Sequence, residues 1–343
     1  VRKTPTAAST KRRKYYLFLA LGLFVAAGGT SITLAQTPVP PIRIDVNFVT
    51  VPVTVSNAHG AFLGGLHQDN FRLRVDGERQ PIEYFAAEQE PAQLLLLVET
   101  GPAVYLLRDE HISAAALLLA GLAPDDRVAV ASYEQTPRLL ADFTADKHAA
   151  AAALNSLIFG LGTTQLNLYQ SLAKSVDWLG HAPGKPSIVA MTTGIDSSAA
   201  DAWPALAQKL QTSNVMVLPV ALGGALRGRP IATKSERGID PEPVRDVSAE
   251  FAEFDRALSA IAEQTGGQAY FPKSRAEFES AYRQIASLLR HEYSLGFNAR
   301  AHDGRYHRIE VEVLDNRGEP LNKNEKKPQY RWNSRRGFLA MSP

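Results

Sequence analysis

The residues with the most chemical capacity in this chain are its eight histidines, and they are scattered: His59, His67, His111, His148, His181, His291, His302 and His307. Only His302 and His307 lie close together. They flank Asp303-Gly304, which reads as a turn, so a metal pair there stands against the plainer reading of two solvated loop histidines. The absence of cysteine removes disulfides, thiolate metal sites and cysteine nucleophiles together. The chain has no Gly-x-Ser-x-Gly elbow, no Gly-Lys-Ser/Thr phosphate loop and no His-Glu-x-x-His pair. Gly160-Leu161-Gly162 followed by Thr163-Thr164-Gln165 begins like a dinucleotide loop. It lacks the third glycine and follows a helical segment instead of opening the first strand–helix unit. No nucleophile, base and orienting group are marked by motif, so the expectation is a protein that is not an enzyme and carries no cofactor.

Charge narrows the partners. The formal net charge is +2, but Arg2, Lys3, Lys11, Arg12, Arg13 and Lys14 all lie in the first 35 residues, which contain no acid. Those six more than account for the excess and leave a formal −4 on the rest. A mildly acidic body argues against a phosphate-backbone binder. Arg331, Arg335 and Arg336 mix with Trp332 and Phe338 near the end of the chain. A terminal strand is the simpler reading of that mix than a nucleic-acid surface. Arg227, Arg229, Lys234 and Arg237 make another basic stretch, but Glu236, Asp240 and Glu242 interleave or follow, as in a solvated loop.

The elements that position these residues fall into blocks. Residues 11–14 are basic, the next 13 or so are apolar and uncharged, and Thr33-Leu34-Ala35 puts small residues at −3 and −1 before Gln36. That order is a secretory signal. The apolar run is shorter than the roughly 20 residues a bilayer needs, although residues 15–35 contain no charge and an uncleaved signal anchor is the alternative. A Pro-rich linker occupies 36–42. Residues 43–90 read as antiparallel strands: 44–55 alternates with Val49, Val51, Val53 and Val55 on one parity, 71–75 alternates apolar and basic, Asp76-Gly77 is a hairpin turn, and 81–86 is the expected return strand. From 91 to 290, strands alternate with helices. Strands are expected at 94–98, 127–133, 187–191, 215–221 and 269–271, with helices at 111–121, 146–157, 166–179, 201–213, 251–265 and 274–290. A long loop spans 222–247, Gly266-Gly267 stops one helix, and Ser274 to Glu277 resembles a capping box. After 291, strands return at 293–298 and 306–314, with a last one over 330–340.

This order of segments resembles a von Willebrand factor type A (VWFA) domain. Leu94-Leu95-Leu96-Leu97-Val98-Glu99-Thr100-Gly101 is similar to the family's first strand and metal loop. Asp125 to Val130, Ile188 to Asp196 and Thr265 to Phe271 keep its later order. The flanks, Val46 to Val55, Asp69-Asn70-Phe71 with Asp76-Gly77, Tyr293 to Phe297 and Tyr306 to Val311, resemble the VWFA-related proteins abundant in Acidobacteria. The resemblance implies an α/β fold, a doubly wound and mostly parallel sheet inserted into a small antiparallel β-sandwich. The boundaries are then 43–90 and 291–343 for the sandwich halves and 91–290 for the type A-like domain.

The family also implies a metal-ion-dependent adhesion site: Asp-x-Ser-x-Ser after the first strand, a loop Thr, and an Asp after the fourth strand. Mg²⁺ takes octahedral oxygen ligands at about 2.0–2.1 Å, which such side chains supply. This sequence departs at nearly every position. Glu99 stands for the Asp, Gly101 and Ala103 for the two Ser, and Thr193 for the later Asp, with Thr163 or Thr164 as the loop Thr and an excess around Gln165-Leu166-Asn167. The expected site is therefore degenerate, with Glu99 capping adjacent loops. Any residual metal would fall to Glu99, Thr164 and Asp196. The functional expectation is an exported protein-interaction module, periplasmic, in the cell envelope or secreted. Its partner is a protein, with no nucleic acid and no membrane contact after leader cleavage. The alternative is a Mg²⁺-dependent adhesin of the same fold. Leader cleavage after Ala35 is expected to give a native-host product whose N-terminal sequence starts at Gln36, whereas a retained Val1 would identify a signal anchor.

Overall fold

Four valines on one parity drive the first strand into a core. In β1 (Asn47–Asn57), Val49, Val51, Val53 and Val55 are buried together. β2 (Phe71–Val75) and β3 (Glu78–Gln80) form a hairpin whose turn, Asp76-Gly77, has φ of 50° and 84°, the paired positive values of a type I′ turn. The return strand is only three residues, β3, rather than 81–86. Pro81 has no N–H to extend the ladder, and the chain then crosses to the other sheet as β4 (Tyr84–Ala87).

The computed structural model describes residues 47–87, 91–105, 108–160, 162, 165–180, 182, 185–224, 247–322 and 328–340. The leader, the linker, the basic loop from Arg227 to Glu242, and Thr163 and Thr164 lie outside the described residues.

The chain continues through β5 (Ala92–Glu99), α1 (Pro102–Tyr105), α2 (Arg108–Gly121), β6 (Arg127–Tyr133), β7 (Pro137–Thr144), α3 (Lys147–Asn155), α4 (Leu168–Leu179), β8 (Lys185–Thr192), α5 (Ala202–Thr212), β9 (Met216–Ala221), α6 (Val247–Thr265) and α7 (Arg275–Arg290). The sheet order is β7-β6-β5-β8-β9. β5, β6, β8 and β9 are parallel and β7 is antiparallel at the edge. Leu94, Leu96 and Val98 enter the core under α2, α3 and α7, while Leu95 and Leu97 enter the core under α4, α5 and α6. Burial on both faces is why β5 reads as an unbroken apolar run. The mostly parallel, doubly wound sheet is the fold class the sequence led us to expect.

Two elements differ from expectation. β7 has no counterpart in the sequence reading, because its alternation is broken by register shifts against β6 at Val130. The expected strand at 269–271 reduces to one bridge, Tyr270 to Val220.

The last strands are β10 (Glu292–Ala299), β11 (Tyr306–Val313), β12 (Tyr330–Ser334) and β13 (Gly337–Leu339). They join the first ones in two four-stranded antiparallel sheets, β12-β1-β10-β4 and β13-β11-β2-β3. β11 pairs with β2 so that Ile309 meets Val75, Val311 meets Leu73 and Val313 meets Phe71. Both ends of the chain thus share one core, and the α/β layer is inserted between them.

The single strand expected over 330–340 is two strands in two sheets, and Arg335 is the reason. Its side chain is 3% exposed. It donates to Gly337 O (3.0 Å) and Thr50 O (3.2 Å) of the sandwich and to Ser213 O (3.1 Å) and Gln211 O (2.8 Å) at the end of α5. Burial lowers its pKa to about 10, still charged at neutral pH. The chain passes so close to the end of α6 that a Cβ on Gly266 would sit 2.7 Å from the Arg335 nitrogen; Gly266 also takes φ 77°. Arg335→Met should therefore cost about 3 kcal/mol or more, since four carbonyls lose their donor in a buried place. Arg336→Met, at an exposed pair with Glu263, should cost less than about 1 kcal/mol. Equal losses in denaturant unfolding of the two variants would refute this role for Arg335.

Candidate functional site

Ligands of open parallel sheets bind beyond the C-terminal strand ends. Here β5 ends at Glu99, β6 at Tyr133 and β8 at Thr192, and the parallel register sets Glu99 beside Tyr133 and Val98 beside Met191. Strand pairing alone therefore gathers a carboxyl and two hydroxyls. Glu99 is 0% exposed. Its Oε2 lies 3.0 Å from the Tyr133 hydroxyl and 3.0 Å from Thr192 Oγ1, and accepts the Thr193 amide at 2.8 Å. The Thr193 hydroxyl donates to both carboxyl oxygens, at 2.9 and 3.0 Å. The Gly194 amide donates to Thr192 Oγ1 at 2.9 Å.

The protons of this cluster can be counted. Tyr133 Oη and Thr192 Oγ1 are 2.6 Å apart, so with Glu99 Oε2 they form a triangle of mutual hydrogen-bond distances. Two hydroxyls own two protons. With Glu99 ionised, one edge of the triangle would hold two oxygens and no proton. A proton on Oε2 completes the ring in either direction. Burial acts the same way: it pushes the Glu99 carboxyl up, offset in part by the Thr193 amide and the hydroxyls. Burial and Glu99 together push the Tyr133 phenol up.

The other expected ligands are dispersed. Asp196 accepts from the Tyr169 amide (3.0 Å), the Ser198 amide (3.0 Å) and the Ser198 hydroxyl (2.8 Å), so it caps the first turn of α4. Over Gly101, the place a Cβ would take is 2.9 Å from Leu166 Cδ2. Leu166 is itself buried. A leucine methyl thus fills the space that a side chain at position 101 would take. Ala103 carries no side-chain oxygen. This donor set does not fit Mg²⁺, which needs several open oxygen positions.

Tyr133, Thr192 and Leu166 are the site residues that sequence reading missed. The alignment of 93–99 with 127–133 marks Tyr133, and the excess around Gln165-Leu166-Asn167 marks Leu166. The surface beside this closed site is apolar. Tyr105 follows it in α1 and is exposed, Ile158 is 79% exposed, and the Tyr105 and Phe159 rings stand 6.4 Å apart. The Gly160 amide on Thr100 O, at 2.9 Å, holds that loop against the strand end.

His307 and His302 do not pair. His307 Nδ1 lies 2.7 Å from Asp76 and Nε2 3.0 Å from Asp303, with Phe338 stacked on the ring, while His302 is exposed. Two carboxylate partners raise the imidazole pKa, Asp303 first, and make it an ion-paired clasp of the hairpin turn. Among the described residues, no cluster of three or more His, Asp or Glu side chains is arranged to hold a metal. No described helix is long and apolar enough to cross a membrane.

No family model and no curated protein matches the sequence. Solved structures do. A von Willebrand factor type A protein from Catenulispora acidiphila is 13% identical, over 80% of this chain and 71% of that one, with a TM-score of 0.43. An aerotolerance-related membrane protein from Bacteroides fragilis is 13% identical, over 58% and 98%, with a TM-score of 0.43. The conserved hypothetical protein BatB from Bacteroides thetaiotaomicron is 15% identical, over 57% and 98%, with a TM-score of 0.39.

A carboxyl with a raised folded pKa favours the native state most at low pH and withdraws that support as pH rises through the folded value. Stability of the wild type relative to Glu99→Gln, which keeps one donor and one acceptor and cannot ionise, should therefore fall as pH rises above about 4. The loss is about 1.4 kcal/mol for each unit by which the pKa is raised. Urea unfolding of both proteins across pH checks it: a pH-independent difference would show the Glu99 pKa unshifted by folding, and a difference that grows with pH would show it lowered. Glu99→Ala should cost about 3 kcal/mol at low pH, through the cavity and the orphaned hydroxyls.

Proposed function

We propose that this chain is an exported protein-interaction module of von Willebrand type A fold whose metal-ion-dependent adhesion site is degenerate. In its place stands a sealed, hydrogen-bonded carboxyl. The observation that carries this reading is the pair of substitutions at the strand end: Glu99 with both oxygens occupied by Tyr133, Thr192 and Thr193, and Leu166 seated over Gly101. A Mg²⁺ ion would have to displace the first set and the leucine as well. The basic, apolar and small-residue order of the leader supports export.

Without a metal to draw a partner's carboxylate, recognition at this end rests on side chains. Tyr105, Ile158 and Phe159 supply an apolar contact of the kind that anchors protein interfaces. No catalytic step is assigned. The reactive groups at the strand end are consumed in holding one another, and the partner is read as a protein, not nucleic acid.

The adhesin alternative needs Glu99, Thr164 and Asp196 to converge, and Asp196 is engaged at the start of α4. Thermal unfolding of the full chain with and without millimolar Mg²⁺ or Mn²⁺ separates the two readings. A ligand at 100 times its Kd would add about 2.7 kcal/mol. The expected midpoint is unchanged. A rise that Glu99→Ala abolishes would establish the adhesin instead.

A further inference from the structure

At the opposite end of the parallel sheet, where it meets the sandwich, lies a cleft of about 590 Å³. That volume is in the range of small-molecule sites. Its floor carries Lys185, the first residue of β8, which is 4% exposed. The Lys185 ammonium donates one hydrogen bond, to Glu292 O at 2.8 Å. Among the described residues no carboxylate is paired with it. An ammonium can donate three hydrogen bonds, and a buried one with few partners is costly.

The cleft is lined by two cations, Lys185 and Lys209, and two carboxylates, Asp177 and Glu292. Lys209 and Asp177 on its wall pair with each other at 2.6 Å and cancel. Arg335 stands behind the lining, with its guanidinium on the carbonyls of Thr50 and Ser213, both cleft residues. With that pair cancelled, the buried Lys185 and the buried Glu292 are the charged residues left in the lining, and Arg335 adds a positive charge behind it. The rest of the lining specifies the remainder of the ligand. Phe48 and Tyr84 are exposed at the cleft with their rings edge to face, centroids 6.2 Å apart, and Pro52 and Val215 add apolar wall. Thr212 and Asn214 add polar groups.

We propose that this cleft binds a small organic monocarboxylate, its carboxylate on Lys185 and its apolar body against Phe48 and Tyr84. The site is distinct from the closed carboxyl at the other end of the sheet and does not depend on the function assigned there. Its ligand would bridge the sandwich and the α/β layer, because Lys185 and Asn214 belong to one and Phe48, Tyr84 and Ser294 to the other.

Phenylacetate is the probe. Titration into the full chain, followed by calorimetry and amide NMR, is expected to show saturable one-site binding with shifts at Ser213, Asn214 and Ser294. Phenylacetamide has the same shape without the charge, and inorganic phosphate has charge without the apolar body. Each is expected to bind at least tenfold more weakly. Lys185→Met, which keeps an apolar stem, is expected to weaken phenylacetate at least tenfold. Because that change can also unfold the chain, Tyr84→Ala at the exposed rim serves as a second variant. It is expected to weaken binding several-fold with an unchanged unfolding midpoint. The proposal is overturned by no saturable binding, by equal binding of the amide or of phosphate, by shifts confined elsewhere, or by unaltered affinity in either folded variant.

Discussion

One guanidinium holds the two halves of this molecule in register. Arg335 leaves the sandwich between its last two strands and places its donors on carbonyls from both sides of the junction: Thr50 and Gly337 on one, Gln211 and Ser213 on the other. The choice of arginine is physical. A planar fork can serve several carbonyls at once without a counter-ion, and its high intrinsic pKa lets it stay charged under a desolvation that would neutralise a lysine more readily. The C-terminal carbonyls of α5 are orphan acceptors with partial negative charge, so a buried cation there satisfies them and offsets its own burial. Everything else at the junction follows from this contact: the break between β12 and β13, the need for Gly266 beside it, and the cleft that remains open next to it.

The same economy appears at the other end of the sheet, with the opposite sign. There the Glu99 carboxyl reaches the neighbouring strands and is closed in by three hydroxyls and an amide. The length of the Glu99 side chain, its hydroxyl partners and Leu166 over Gly101 fit one another. Each alone would leave a defect. An aspartate would not span to Thr193 Oγ1, a serine at 101 would meet the leucine, and a lone glutamate without hydroxyl partners would be an unsatisfied buried acid. The set is mutually consistent.

Much of this was legible in the residues. The four consecutive leucines of β5, the alternation of Phe71, Leu73 and Val75, and the Asp76-Gly77 turn marked strands and sheet class because each is a local pattern with a local cause. Glu99, Gly101, Ala103 and Thr193 were singled out through the resemblance to the type A metal pattern, not by their types. Tyr133 and Thr192 were not, because their role arises from register between strands far apart in sequence, where no local spacing records it. β7 was missed because an edge strand with a bulge loses the two-residue period. Arg335 looked like one of several basic residues among aromatics. Nothing in a sequence window distinguishes it from its exposed neighbours Arg331 and Arg336 until the carbonyls of distant segments converge on it.

Strand β8 joins the two sites physically. Lys185 begins it at the cleft and Thr192 ends it at Glu99, roughly 23 Å apart at the usual rise of a strand. The strand lies between β5 and β9, with most of its side chains buried. Such an element is rigid, and a close-packed interior does not deform continuously. An occupant of the cleft would therefore have little purchase on Glu99 through β8 itself. Its leverage would fall on the junction, where Lys185 and Arg335 hold backbone carbonyls across a boundary, and where the sandwich and the α/β layer are separate cores that share few side chains. If the apolar end and the cleft communicate, the geometry favours movement of one layer against the other over any change within the sheet.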